Sequence, residues 1–184
     1  MRFINIILAI TLCVSPAFAG EATVDLDKVA MLTPTGGDAS LYGPRVALHF
    51  SLPEVVDGGE IVSAELYMPI DLSNVEVEGE TILEVMAQNI TAGWTEQNAS
   101  WANPWTESGG DLDSLSFYSY TINITDDEVI RLDLTEFVRS IVQDDADNYG
   151  LMLMPFKHDQ EIFELPQNTA AVIKNAAQLN IVFE

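Results

Sequence analysis

Three groups of side chains have the types and spacing that could hold a ligand. Trp105 follows Asn103-Pro104 in a loop rich in glycine and serine, where an indole face could stack on a sugar ring. The same ring could instead cover the end of a barrel. Tyr118 and Tyr120 alternate with Phe117 and Ser119, so a strand through them places both phenols on one face, as a flat aromatic platform or as a second core face. The third group is the acidic run Asp144, Asp145, Asp147 and Asn148. Asp145-x-Asp147-x-x-Gly150 matches the first two ligands and the turn glycine of a calcium loop, but its twelfth position is Phe156, where a bidentate glutamate is required. Calcium in a looser oxygen cage and a solvated turn both fit that run, as they fit Asp111-x-Asp113 and Asp126-Asp127-Glu128.

Catalytic chemistry finds less to use. His49 falls on the outward side of an alternating segment, and His158 sits in a charged loop between Lys157 and Asp159; neither belongs to a nucleophile or metal motif. Paired carboxylates for glycoside hydrolysis carry no information here, because 29 acidic residues guarantee some pairs at suitable distances. The expectation is a protein that is not an enzyme.

Charge narrows the partner. With 29 acids against 7 bases the net charge is -22, and nucleic acid or anionic lipid would need the opposite sign to release counterions. Polyanionic glycans are disfavoured for the same reason. Arg2, the apolar stretch Ile4 to Val14 and Ala17-Phe18-Ala19 read as a secretory signal cleaved before Gly20, which predicts a secreted, extracellular or periplasmic protein. Residues 20–184 then form one domain. The lone Cys13 lies inside the signal, so the mature chain has no thiol for disulfides, zinc or catalysis. No stretch reaches the roughly 18 apolar residues of a spanning helix, so membrane insertion is not expected.

The elements that must position these groups are mostly strands. Val46, Leu48 and Phe50 alternate with polar or small residues, as do Val62, Ala64, Leu66, Met68 and Ile70; Leu83, Val85 and Ala87; Ile130, Leu132 and Leu134; and Leu179, Ile181 and Phe183. Residues 149–156 are apolar on both faces and predict a central strand. Leu134, Phe137, Val138, Ile141 and Val142 carry helical spacing, with Asp133 and Glu136 placed as a capping box and Arg139 and Gln143 facing water. The fold class is therefore all-β, a jelly-roll β-sandwich with one short helix.

Residues 93–104 (GWTEQNASWANP) resemble the tryptophan signature of the DNRLRE-domain family, secreted jelly-roll modules related to disaggregatase-type carbohydrate-binding modules. Residues 45–52 and 61–68 resemble two strands of that family, 130–142 its strand and helix, and 148–155 its Gly-Leu strand, all in the same order. The segments 23–28 and 164–168 depart from its pattern. The resemblance implies structural roles for Trp94 and Trp101, and a module that binds a polysaccharide, neutral or bridged by calcium. A structural or adhesive matrix protein that binds no specific glycan is the alternative.

Overall fold

The computed structural model describes residues 19–35, 42–56, 59–69, 81–124, 129–143, 146–159, 161–163, 165–166 and 168–184. The expected signal and Cys13 fall almost wholly in 1–18, outside the described residues. The strands are β1 Gly20–Asp25, β2 Lys28–Leu32, β3 Arg45–His49, β4 Ile61–Pro69, β5 Thr81–Asn89, β6 Tyr118–Ile124, β7 Val129–Asp133, β8 Leu151–Leu153, β9 Lys157–His158, β10 Glu161–Ile162 and β11 Gln178–Phe183. The helices are α1 Thr135–Val142 and α2 Thr169–Ala176.

One antiparallel sheet runs β1-β11-β4-β7. The other runs β6-β5-β8-β3-β2, with β9 continuing the track of β8 along β5 and β10 beside it. Setting β2 aside leaves 1-11-4-7 facing 3-8-5-6, the strand order of a double Greek key. The fold is thus an all-β jelly-roll sandwich, and β2 is an added edge strand hydrogen-bonded to β3.

Period-two alternation fills the space between the sheets. Val46 and Leu48, Leu66 and Met68, Leu83 and Val85, Ile130 and Leu132, and Leu179 and Ile181 are buried in one core. Strand β8 is buried on both faces, as its composition requires, and serves two cores. Leu151 and Leu153 belong to the inner core, whereas Met152 joins Ala30, Leu32, Ala47 and the three tryptophans in a second cluster.

Strand β4 corrects the expected alternation at its start. Val62 is exposed and Ile61 buried, because Phe183 of β11 pairs with Ile61 while Val182 pairs with Ser63, leaving Val62 as an inserted residue. An insertion of one residue reverses which face each side chain takes. Arg139, expected to face water, instead spends its Nε and Nη2 on the Ile61 carbonyl at this bulge, at 2.9 and 2.8 Å.

Helix α1 lies against β4 with Phe137 and Val138 buried and Ile141 and Val142 partly so. No capping box forms. The Asp133 carboxylate accepts the N–H of Thr135 at 2.9 Å, and Glu136 pairs with Arg139 at 2.6 Å. A second helix, α2, is present, where one helix in all was expected. It buries Thr169, Ile173 and Ala177, a stripe at i, i+4 and i+8 with one large side chain, too thin a signal for hydrophobic periodicity. Among the described residues no helix is long and apolar enough to cross a membrane.

Candidate functional site

The segment between β5 and β6 folds over the outer face of the larger sheet. Trp94 donates its indole N–H to the Tyr149 carbonyl and Trp105 donates to that of Ser100, each at 2.8 Å, with the two ring centroids 6.5 Å apart. Trp94 and Trp101 are buried, consistent with a structural role. Trp105 is only 6% exposed, which corrects the expectation of an open aromatic face. The sheet beneath it presents Ala30, Ala47 and other apolar groups outward, so the indole gains more from covering that surface than from water.

Around the tryptophans the loop is held by its own polar groups. Asp111 accepts the N–H groups of Thr106 and Glu107 at 2.9 Å, and these two backbone bonds hold its carboxyl below the usual carboxylate range. Gly109, with φ of +91°, brings its carbonyl to 2.7 Å from Nη1 of Arg45 at the start of β3. The guanidinium lies 5.1 Å from the centroid of Trp101, which also meets the half-exposed ring of Tyr42 at 6.0 Å. Burial lowers the proton affinity of Arg45 from the ordinary arginine value.

These residues bound a cleft of about 510 Å³ lined by Tyr42, Arg45, Gln88, Trp101, Glu107 and Ser108. Gln88 is nearly buried and donates Nε2 to the Asp113 carbonyl at 3.1 Å, which fixes its amide. An aromatic wall with a guanidinium, an amide and a hydroxyl is the mixture that a sugar ring needs: apolar face to apolar face, and donors and acceptors around the rim. Sequence reasoning missed Tyr42, Arg45 and Gln88 as site residues. The available signal was that Arg45 is one of only seven cations.

Tyr118 and Tyr120 do share a face, and the structure brings them together with Ser63, Thr135, Glu136 and Arg139 around a second cleft of about 490 Å³, bounded by β6, the start of β4 and helix α1. Both rings pack partly against the inner core, so they form the side of a cleft and not a flat platform. Tyr120 donates its hydroxyl to the Asp133 carbonyl at 2.9 Å, and burial pushes both phenols above their ordinary value. Trp105 belongs to the other core, on the opposite side of the sheet.

The proposed calcium run is only partly described, since Asp144 and Asp145 lie outside the described residues. Asp147 is exposed, while Asn148 turns inward and donates Nδ2 to the Phe50 carbonyl at 2.8 Å with its Oδ1 buried, so these two do not converge on one point of the surface. Among the described residues no group of three or more His, Cys, Asp or Glu is arranged to hold a metal.

His49 also departs from expectation. Its side chain is 11% exposed, with Nδ1 2.6 Å from Asp27 and Nε2 3.2 Å from the Asn148 carbonyl, while Ser51 donates to the other oxygen of Asp27 at 2.9 Å. These are the residue types of a catalytic triad in the wrong order, for the hydroxyl sits on the carboxylate and not on the imidazole. The arrangement is a clasp: Asp27 lies where the chain passes from β1 in one sheet to β2 in the other. Partial burial pushes the Asp27 carboxyl up, but the bonds from His49 and Ser51 outweigh it and hold it below the usual range. Its stabilising contribution is therefore complete above the unfolded-state value of about 3.9 and lost as pH falls through the lower folded value. Asp27→Asn should cost about 0.2–1 kcal/mol at neutral pH, the scale of a half-exposed pair, and in denaturant melts the difference from wild type should shrink as pH falls below the unfolded-state value and through the lowered folded one. A difference that does not shrink at all on acidification would assign the loss to something other than the carboxylate.

Compared with known proteins, the chain matches no family model and no curated protein.

Proposed function

We propose that this protein is a secreted, non-catalytic module that binds an extracellular or cell-surface polysaccharide in the cleft between Tyr42 and Arg45. The observation that carries the reading is the cleft itself, where the half-exposed Tyr42, backed by the buried Trp101 ring, stands beside the fixed amide of Gln88 and the hydroxyl of Ser108. The resemblance to the DNRLRE-domain family, whose modules are related to carbohydrate-binding ones, supports the same class of ligand. A net charge of -22 favours a polysaccharide that is neutral or sparsely charged.

Affinity electrophoresis or pull-down against a panel of purified polysaccharides tests this. Wild type should bind at least one, and Tyr42→Ala should weaken that binding up to about tenfold, because an aromatic contact contributes roughly 0.5–1.5 kcal/mol. Tyr42 is half-exposed, so its removal should leave the fold intact. Failure to bind any glycan, together with concentration-dependent self-assembly, would replace this reading with that of a structural or adhesive protein.

A further inference from the structure

Arg45 holds donors that have no partner among the described residues. A guanidinium carries five N–H groups, and the hydrogen bond that Arg45 makes with its side chain among the described residues is the one from Nη1 to Gly109. Its Nε is buried without a partner, an arrangement that costs stability unless something else offsets it. No carboxylate among the described residues forms an ion pair with it, although acids outnumber bases about fourfold in the chain. Glu107 lines the same cleft without pairing with Arg45. The Trp101 ring beside the guanidinium restricts its rotation, and the Gly109 carbonyl fixes one end.

We infer that Arg45 is a specificity residue that recognises a single carboxylate on the bound glycan, so that the ligand is an otherwise neutral polysaccharide carrying isolated acidic sugar residues. The inference rests on the glycan-binding reading and adds the ligand's charge to it. A planar fork of donors matches a carboxylate with two parallel hydrogen bonds. The aromatic neighbour supplies what a bare carboxylate cannot use: Tyr42, half-exposed at the cleft and backed by the buried Trp101, offers surface to the ring that bears the acid. Long-range repulsion by the acidic surface opposes a chain with a charge on every sugar, whereas one carboxylate docked on a partly buried guanidinium acts at short range, where that repulsion matters least.

The test is an NMR titration of the wild-type protein with methyl β-D-glucuronoside and with methyl β-D-glucoside, which differ only in the acid group. The glucuronoside should shift the Arg45 Nε–H and the Trp101 indole N–H and bind at least tenfold more tightly than the glucoside. Arg45→Gln should erase that difference, and Glu107→Gln should tighten glucuronoside binding several-fold by removing a like charge from the cleft. Acetate should shift the Arg45 Nε–H only at much higher concentration. If glucoside and glucuronoside bind the cleft equally, the carboxylate inference is wrong while the glycan reading stands. Acetate as potent as the glucuronoside would overturn the sugar part of the inference. If neither sugar binds and the polysaccharide panel is also blank, the glycan reading itself fails. Should Arg45→Gln not fold, the comparison of the two sugars on wild type still decides the matter.

Discussion

Phe137→Asp is expected to abolish cooperative thermal unfolding or to bring the midpoint near room temperature. Phe137 is 2% exposed and meets Phe50 edge-on, with centroids 6.0 Å apart, beneath helix α1. Truncating a buried phenylalanine costs about 3–5 kcal/mol through lost burial and the cavity left behind. A carboxylate in its place adds the penalty of an unpaired buried charge, several kcal/mol more. A domain of this size is held by about 5–15 kcal/mol in all, so the sum is comparable with the whole. Phe137→Leu keeps the apolar contact and should cost far less. Circular dichroism melts of the two variants check this; an aspartate variant that melts like wild type would place the helix stripe in water.

The helix was legible because its apolar residues recur at i, i+3 and i+4 beside strands that recur at i+2, and each period was kept long enough to be seen. The same reasoning read β8 correctly as central, since residues apolar on both faces need cover on both. It could not say what the cover was. Met152 lies under a lid of tryptophans whose burial depends on a loop folding back across strands remote in sequence. The two readings of Trp105 stayed open for the same reason: composition marks a loop as polar without showing which of its members lie against a sheet. Val62 was misplaced by a bulge, which leaves no mark on alternation until the partner strand's register is known. Helix α2 has only Ile173 as a large buried residue, so it wrote almost no pattern.

The candidate site was the least legible part. Tyr42, Gln88 and Trp101 come from separate stretches of the chain, and Arg45 read only as the first residue of a strand. Their meeting follows from jelly-roll crossing, which sets β3 two strands from β5 and lets the loop that follows β5 close over both. Spacing along the chain carries no trace of that. Tyr118 and Tyr120 were legible as neighbours because they share one strand, where local geometry alone fixes the face.

Gly150→Ala should be the most damaging change among the glycines that enter the larger sheet. Gly150 has φ of +97°, a conformation that side chains disfavour, and a Cβ built there would lie 2.1 Å from the carbonyl oxygen of Leu48 and 3.2 Å from the Cα of His49. Backbone, unlike the end of a flexible side chain, cannot step aside without moving β3. The strained conformation costs about 1–3 kcal/mol, and forcing the strands apart a further 1–3 kcal/mol or so. Displacement of β3 would also disturb the His49 contacts with Asp27 and Asn148 and the hydrogen bond from the Ile90 N–H to the Gly150 carbonyl at 2.9 Å. Gly93→Ala is the matched control, since a Cβ there meets only the Tyr149 ring at 3.8 Å. Relief of unfolded-state entropy should leave that variant at or slightly above wild-type stability. Denaturant midpoints measured side by side should therefore separate the two alanines widely. Equal midpoints would mean that β3 yields to the new methyl group, and the close approach at Gly150 would then not be what fixes β8 in the sheet.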